Sequence, residues 1–188
     1  AFTTQPVVTV QDAGGNTVTT SSASITLAIG TNPASGTLST CTASTTAGIA
    51  TFTTCAIDKA GTGYTLVASS SGLTSATSNA FNVTVGAAAK LAITTPSGAT
   101  GGTAFTTQPV VTVQDAGGNT VTGDTSTVSL AITTNPGSGT LSGCSSQAAV
   151  SGVATFSGCK IDKAANGYVL TATDGTLTAA ATSTFNVT

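Results

Sequence analysis

The sequence predicts an all-β protein built from two tandem antiparallel β-sandwiches. The stretch AFTTQPVVTVQDAGGNTVT occurs at Ala1–Thr19 and again, without a change, at Ala104–Thr122. Short apolar-polar alternations, separated by Gly, Pro, Asn and Asp, fill most of the chain, and no helical periodicity of useful length accompanies them. Short strands with frequent turn residues are typical of antiparallel sandwiches.

The repeat also predicts where the domains lie. Matching residues are 103 positions apart in the first part of each copy and, after one inserted residue, 104 apart, as with Tyr64 and Tyr168. A unit of about 100 residues is an ordinary size for one sandwich with its own core. We therefore expect domain 1 over residues 1–84 and domain 2 over residues 85–188.

Within each repeat the strand signals follow one order. In the doubled stretch, Val8 and Val10 fall on one face of a strand, and Asp12–Asn16 supplies turn residues. The alternation at Ile25–Ile29 predicts a half-buried strand that ends before Pro33, which cannot donate a ladder hydrogen bond. The remaining predicted elements of repeat 1 are strands at Gly36–Cys41, Gly48–Cys55, Tyr64–Ala68 and Phe81–Val83, with a loop at Asp58–Gly63. Repeat 2 follows the same plan.

The junction between the repeats introduces a strand that domain 1 lacks. Val85–Ala89 is a short apolar connection, Lys90–Ile93 predicts the first strand of domain 2, and Thr94–Thr103 is a Gly-rich passage into the doubled stretch. The chain holds no counterpart of this first strand for domain 1. We expect either an open sheet edge there, or an edge filled by an upstream segment or another molecule.

Each repeat contains two cysteines, Cys41 and Cys55 in the first and Cys144 and Cys159 in the second. Zinc sites usually bring CxxC pairs or histidines, and the sequence has neither. We predict one disulfide per domain and an oxidising, extracytoplasmic location. In the chain-entropy model, closing such a loop stabilises a domain by roughly 3 kcal/mol. The alternative is a pair of buried free thiols in each domain.

Charge is scarce throughout the chain. Only 5% of residues are charged, and the net charge of −2 gives no field that would attract nucleic acid or an anionic membrane. We expect no nucleic-acid partner and no membrane insertion, because no stretch is long and apolar enough to span a bilayer. The chain shows no signal peptide, and we expect a mature or excised piece of a larger protein.

The residue types for catalysis and metal binding are also missing. The sequence has no His and no Glu, so the many Ser and Thr have no ordinary activating base, and we expect no enzyme activity and no cofactor. Calcium needs six to eight oxygens, whereas the turns at Asp12 to Asn16 and Asp115 to Asn119 offer one carboxylate each. Asx turns, in which the side chain bonds nearby backbone N–H groups, explain these residues without a metal.

Covalent modification is a further possibility that the sequence raises. Asn82-Val83-Thr84 and Asn186-Val187-Thr188 match the N-glycosylation acceptor, and Ser/Thr-rich faces could carry O-linked glycans. Strand alternation explains the same residues, with Val inward and Asn outward. Lys90 on the first predicted strand of domain 2 and Asn186 on the last occupy positions that would suit a Lys–Asn isopeptide crosslink. That reaction also needs a buried acid nearby, and no Asp in the strands is an obvious one. A Lys90 side chain with its amine in solvent is the simpler interpretation.

Four motifs recur in the same order and resemble bacterial Ig-like repeats of the invasin/intimin type. They are VxVxDxxGNxV (Val8–Val18, Val111–Val121), GTL (Gly36–Leu38, Gly139–Leu141), G[IV]ATF (Gly48–Phe52, Gly152–Phe156) and GY[TV]L (Gly63–Leu66, Gly167–Leu170). The resemblance implies an Ig-like fold for both sandwiches and a place in a large surface protein. The cysteine pairs are not part of that family's general pattern.

The functional expectation is mechanical. The resemblance implies a structural stalk or spacer of an extracellular bacterial surface protein or fibre, whose partners are neighbouring copies of the same repeat and attached glycans. A first alternative is a self-assembling filament subunit joined by strand complementation at the open edge of domain 1. A second is an adhesin that binds glycan or ice, for which the sequence offers no Trp and one Tyr per domain.

Overall fold

In a computed structural model, residues 1–39 and 41–188 are described, and every regular element among them is a β-strand. The chain divides into two compact units, Ala1–Thr84 and Val85–Thr188, called unit 1 and unit 2 below. Both predicted disulfides are formed, Cys41–Cys55 in unit 1 and Cys144–Cys159 in unit 2. The predicted fold class, two tandem antiparallel sandwiches each closed by a disulfide, is confirmed.

Unit 1 contains strands that pair antiparallel in the order β1-β4-β3-β2-β6-β7, with β5 and β8 forming a separate pair. Strand β3 bonds β2 through its first half and β4 through its second half, so it links the two layers of the sandwich. The bounds are β1 (Val7–Thr9), β2 (Ser24–Ile29), β3 (Thr42–Thr46), β4 (Ile49–Thr51), β5 (Gly61–Tyr64), β6 (Leu66–Ser69), β7 (Ala76–Thr77) and β8 (Phe81–Val83).

Unit 2 repeats this plan and adds a strand at its start. One sheet has the order β14-β10-β9, a second has the order β13-β11-β16-β17 with β18 also on β16, and β12 pairs with β15. The bounds are β9 (Lys90–Ile93), β10 (Val110–Gln114), β11 (Thr127–Thr134), β12 (Leu141–Ser142), β13 (Ser146–Ala148), β14 (Val153–Thr155), β15 (Lys160–Ile161), β16 (Ala165–Thr173), β17 (Ala180–Ala181) and β18 (Phe185–Val187).

The core of each unit follows from strand alternation around a central tyrosine. Ile25 and Leu27 are buried on β2, and Thr26 between them is exposed. Tyr64 and Tyr168 are fully buried, and each phenol donates a hydrogen bond of 2.9 Å to a backbone carbonyl five residues earlier. The buried hydroxyls are therefore satisfied, and the rings fill the centre of a core that is otherwise mostly Val, Ile, Leu and Ala.

Two local predictions need correction. The loop expected over Asp58–Gly63 is too long, because β5 begins at Gly61 and pairs with β8 across a bulge between Thr62 and Tyr64. The predicted strand Gly36–Cys41 is not a regular strand in its described residues, where Leu38 makes only an isolated bridge to Ile57, and Thr40 lies outside the described residues.

The identical doubled stretch allows a matched test of burial. Val111 is fully buried, whereas Val8, its equivalent, is only half-buried. Val111→Ala should lower the free energy of unfolding of unit 2 by about 2 kcal/mol, since two buried methyl groups are lost. Val8→Ala should lower that of unit 1 by less than about 1 kcal/mol. Hydrogen exchange in urea, read by mass spectrometry, reports each unit separately, and equal losses would contradict this account.

Candidate functional site: the outer edge of the doubled strand

The doubled strand has different neighbours in the two units. In unit 2, β10 lies between β14 and β9 and bonds both. In unit 1, within residues 1–39 and 41–188, β1 pairs only with β4 and is the terminal strand of its sheet. The same sequence therefore has a covered edge in unit 2 and an open edge in unit 1.

A groove of about 440 Å³ runs along this open edge, and we call it the edge groove. Val8–Ala13 forms one wall, the segment from Ala68 to Ala76 forms the other, and Ile25 also lines it. Val10 and Ile25 are buried, whereas Leu73 is 44% exposed. The edge groove thus combines apolar side chains with the unpaired side of a β-strand.

At one end of the edge groove lies the turn predicted at Asp12. Its Oδ1 accepts hydrogen bonds from the backbone N–H groups of Gly14 and Asn16, both at 2.9 Å, and Asn16 Nδ2 donates to both carboxylate oxygens. This is an Asx turn, in which one carboxylate satisfies donors of a tight loop. The same DAGGN pattern forms this turn in both units.

The equivalent turn of unit 2 has one additional partner. Asn119 contacts Asp115 as Asn16 contacts Asp12, and the backbone N–H of Gly86 also donates to Asp115 Oδ2 at 2.9 Å. Gly86 belongs to the segment that leads into β9. Asp115 is therefore 5% exposed, whereas Asp12 is exposed.

Both carboxylates are held in their charged form. For Asp12, the hydrogen bonds from the backbone and side chain of Asn16 lower its pKa. Burial by itself would raise the pKa of Asp115, but the hydrogen bonds from Gly86 and Asn119 outweigh that effect and lower it. At neutral pH both turns therefore present a carboxylate to the edge of the sheet.

Each disulfide closes a hairpin whose second strand, β4 in unit 1 and β14 in unit 2, pairs with the inner edge of the doubled strand. Cys41 precedes β3, and Cys55 follows β4. Gln5 binds the backbone of Cys55 twice, since its Oε1 accepts from the N–H at 2.9 Å and its Nε2 donates to the carbonyl at 3.3 Å. Gln108 binds Cys159 in the same way. Sequence analysis missed both glutamines, although their identical positions in the doubled stretch were a signal.

The two candidate glycosylation sites have structural contacts of their own. Asn82 and Asn186 are exposed, and the Oδ1 of each accepts the backbone N–H of a glycine in a strand bulge, Gly63 and Gly167 respectively, at 3.1 Å. Lys90 Nζ donates to the carbonyl of Ala116 at 3.1 Å. Glycosylation of these asparagines stays a prediction.

Other site types are not evident in the part of the chain that the structure describes. No group of three or more His, Cys, Asp or Glu side chains there could hold a metal ion. Every buried side-chain nitrogen or oxygen in that part has a hydrogen-bond partner. The same residues include no helix with the length and apolar character needed to cross a membrane.

Comparison with known proteins gives a distant structural similarity and no family. No protein-family model matches the chain, and no curated protein matches it. A similar solved structure is a glycosyl hydrolase family 2 (GH2) member from Bacteroides cellulosilyticus DSM 14838, with 13% identity and a TM-score of 0.42. The match covers 89% of this chain and 23% of that protein. Similarity at this level does not bear on function.

The buried Asx turn predicts an acid-sensitive contact in unit 2. Since the pKa of Asp115 is lower folded than unfolded, its stabilising effect is present above about pH 4 and is lost as pH falls through the folded pKa. Asp115→Asn should destabilise unit 2 at neutral pH and flatten its loss of stability between about pH 5 and pH 2.

Urea unfolding of unit 2 across this pH range, followed by hydrogen exchange, measures the effect. The matched control is Asp12→Asn, which should change unit 1 less because Asp12 is exposed and lacks the additional backbone donor. An unchanged pH dependence in the Asp115 variant would contradict the assignment.

Proposed function

We propose that this chain is a structural stalk or spacer segment of an extracellular surface repeat protein or fibre. The observation that carries the proposal is that one sandwich is built twice in tandem, with the doubled stretch, the disulfide and the Asx turn at equivalent places. In tandem repeat proteins, each unit adds length without new chemistry. Repeated units that add length are sufficient for a stalk.

The disulfides and the resemblance to bacterial Ig-like repeats support this proposal. Disulfides form and persist in oxidising environments, which favours an extracellular location. The resemblance to bacterial Ig-like repeats supports a cell-surface position.

The open edge of β1 favours a second candidate function, a self-assembling filament subunit. An exposed strand edge can pair with a strand from another chain. An adhesin that binds glycan or ice has less support, because Tyr64 and Tyr168, the aromatic side chains suited to sugar stacking, are fully buried.

A replacement experiment tests the spacer function. Deleting residues 85–188 from the surface protein that carries them should shorten the reach of its outer end, measured by electron microscopy of labelled cells. Inserting an unrelated β-sandwich of similar length should restore that reach, because the proposal assigns this segment a geometric role only. Failure of the replacement to restore the surface protein's function would point to a specific ligand and against a spacer.

Mechanical unfolding gives a second prediction. The disulfide prevents extension of the loop between Cys41 and Cys55, which spans 14 residue steps while its ends are 5.2 Å apart. Reduction should therefore lengthen the unfolding step of unit 1 by about 45 Å, at roughly 3.5 Å per residue. Single-molecule force spectroscopy measures this length. A Cys41→Ser, Cys55→Ser double variant should show the longer step without reductant, and an unchanged step after reduction would contradict the prediction.

A further inference from the structure

Unit 2 shows what covers the outer edge of the doubled strand. Strand β9 pairs antiparallel with β10, so that Leu91 lies opposite Val113 and Ile93 lies opposite Val111. The ladder continues at both ends, where Ala89 N donates to Gln114 O at 2.8 Å and Thr94 N donates to Val110 O at 3.0 Å. The segment from residue 86 to residue 94 thus completes the sheet.

The same segment also bonds the opposite layer. Leu91 N donates to Thr178 O at 2.9 Å, and Thr178 N donates to Ala89 O at 3.0 Å, which makes a parallel bridge. The Leu91 side chain is 6% exposed and belongs to the core. Strand β9 therefore closes the gap between two sheets and fills it with an apolar side chain.

Unit 1 presents the matching groups in the edge groove. Among the residues of unit 2 that bond this segment through their backbone or carboxylate groups are Gln114, Asp115, Ala116 and Thr178. The equivalents of these four in unit 1 are Gln11, Asp12, Ala13 and Thr74, and all four line the edge groove, whereas Val7, the equivalent of Val110, does not. The groove therefore has the hydrogen-bonding layout of a strand-binding site.

The exposure of apolar side chains marks the same place. Two apolar residues that line the groove, Val8 and Leu73, are more exposed than their equivalents in unit 2, Val111 and Leu177, where β9 is present. Covering this surface would remove apolar area from water, which is the main favourable term in strand docking.

We propose that the edge groove of unit 1 is a docking site for a β-strand of the Val85–Thr94 type, supplied in cis by a preceding repeat joined to Ala1. The strand runs antiparallel to β1, its leucine fills the groove between Val10 and Leu73, and a backbone N–H ahead of it donates to Asp12. This inference rests on the proposed spacer function, because it names the neighbouring repeat to which unit 1 is joined.

The entry path favours a donor in cis. Phe2 N donates to Cys55 O at 3.0 Å, as Phe105 N donates to Cys159 O at 2.9 Å, so Ala1 and Ala104 enter their units at equivalent places. A second copy of this chain is a poorer donor. It would have to withdraw β9 from its own unit 2 and leave the edge of β10 unpaired there, so the number of completed sheets would not change.

Binding of a synthetic peptide tests the site. A peptide of residues 85–94, VGAAAKLAIT, added to the full chain should bind with one-to-one stoichiometry and slow hydrogen exchange at β1 and near Thr74, but not in unit 2. The peptide with Leu91→Asp should bind about tenfold more weakly or worse, because its apolar contact is lost. In the chain, Asp12→Asn should weaken binding and its matched control, Asp115→Asn, should not. Absence of binding would overturn the proposal.

A second arm tests the source of the strand. Residues 85–103 fused ahead of Ala1 should raise the Tm of unit 1, leave that of unit 2 unchanged and abolish binding of the added peptide. If the fused chain still binds the peptide, or if the unfused chain forms dimers that the fusion does not prevent, the donor comes from another molecule and the cis assignment is wrong. The replacement experiment on reach is independent, so the spacer function and the groove can fail separately.

Discussion

Pairing at both edges of the doubled strand is the constraint on which the rest of each unit depends. The inner edge is bonded by the hairpin that the disulfide closes, through β4 in unit 1 and β14 in unit 2. The outer edge of β10 is bonded by β9. Where both edges are paired, Val111 is fully buried and Val110 is half-buried, whereas their equivalents at the open edge are more exposed, Val8 being half-buried and Val7 61% exposed. Burial of an identical sequence is thus set by its neighbours.

The scarce carboxylates support this arrangement by holding the backbone. The carboxylate of Asp58 accepts a hydrogen bond of 2.6 Å from the backbone N–H of Thr37, and that of Asp162 accepts one of 2.6 Å from the backbone N–H of Thr140. Asp124 accepts the backbone N–H of Ser126 at 2.9 Å. Together with the two Asx turns, these contacts account for most of the acids in the chain. A protein with 5% charged residues therefore uses its acids to fix loops, and its surface is left to neutral polar groups.

Features with a local signal could be predicted from the sequence. The alternation of Ile25 and Leu27, the disulfide pairs and the strand at Lys90–Ile93 all depend on residues close in the chain or on the repeat. Strands β3 and β7 were missed because TASTT and AT carry no apolar alternation, and they form only because neighbouring strands bond them. The partner of Gln5 and the second wall of the groove beside β1 could not be predicted, since each joins segments far apart in sequence.

The position of the duplicated stretch within the compact unit has an evolutionary consequence. The compact unit begins at Val85, whereas the identical stretch begins later, at Ala104, so the first strand lies ahead of the duplicated segment. Unequal crossover between genes, aligned at this stretch, would insert or remove a whole sandwich together with the strand that completes it. An array of this kind would lengthen or shorten by recombination, and each crossover would join the first strand from one copy to the remaining strands from another, so the first strands of all copies would have to be interchangeable.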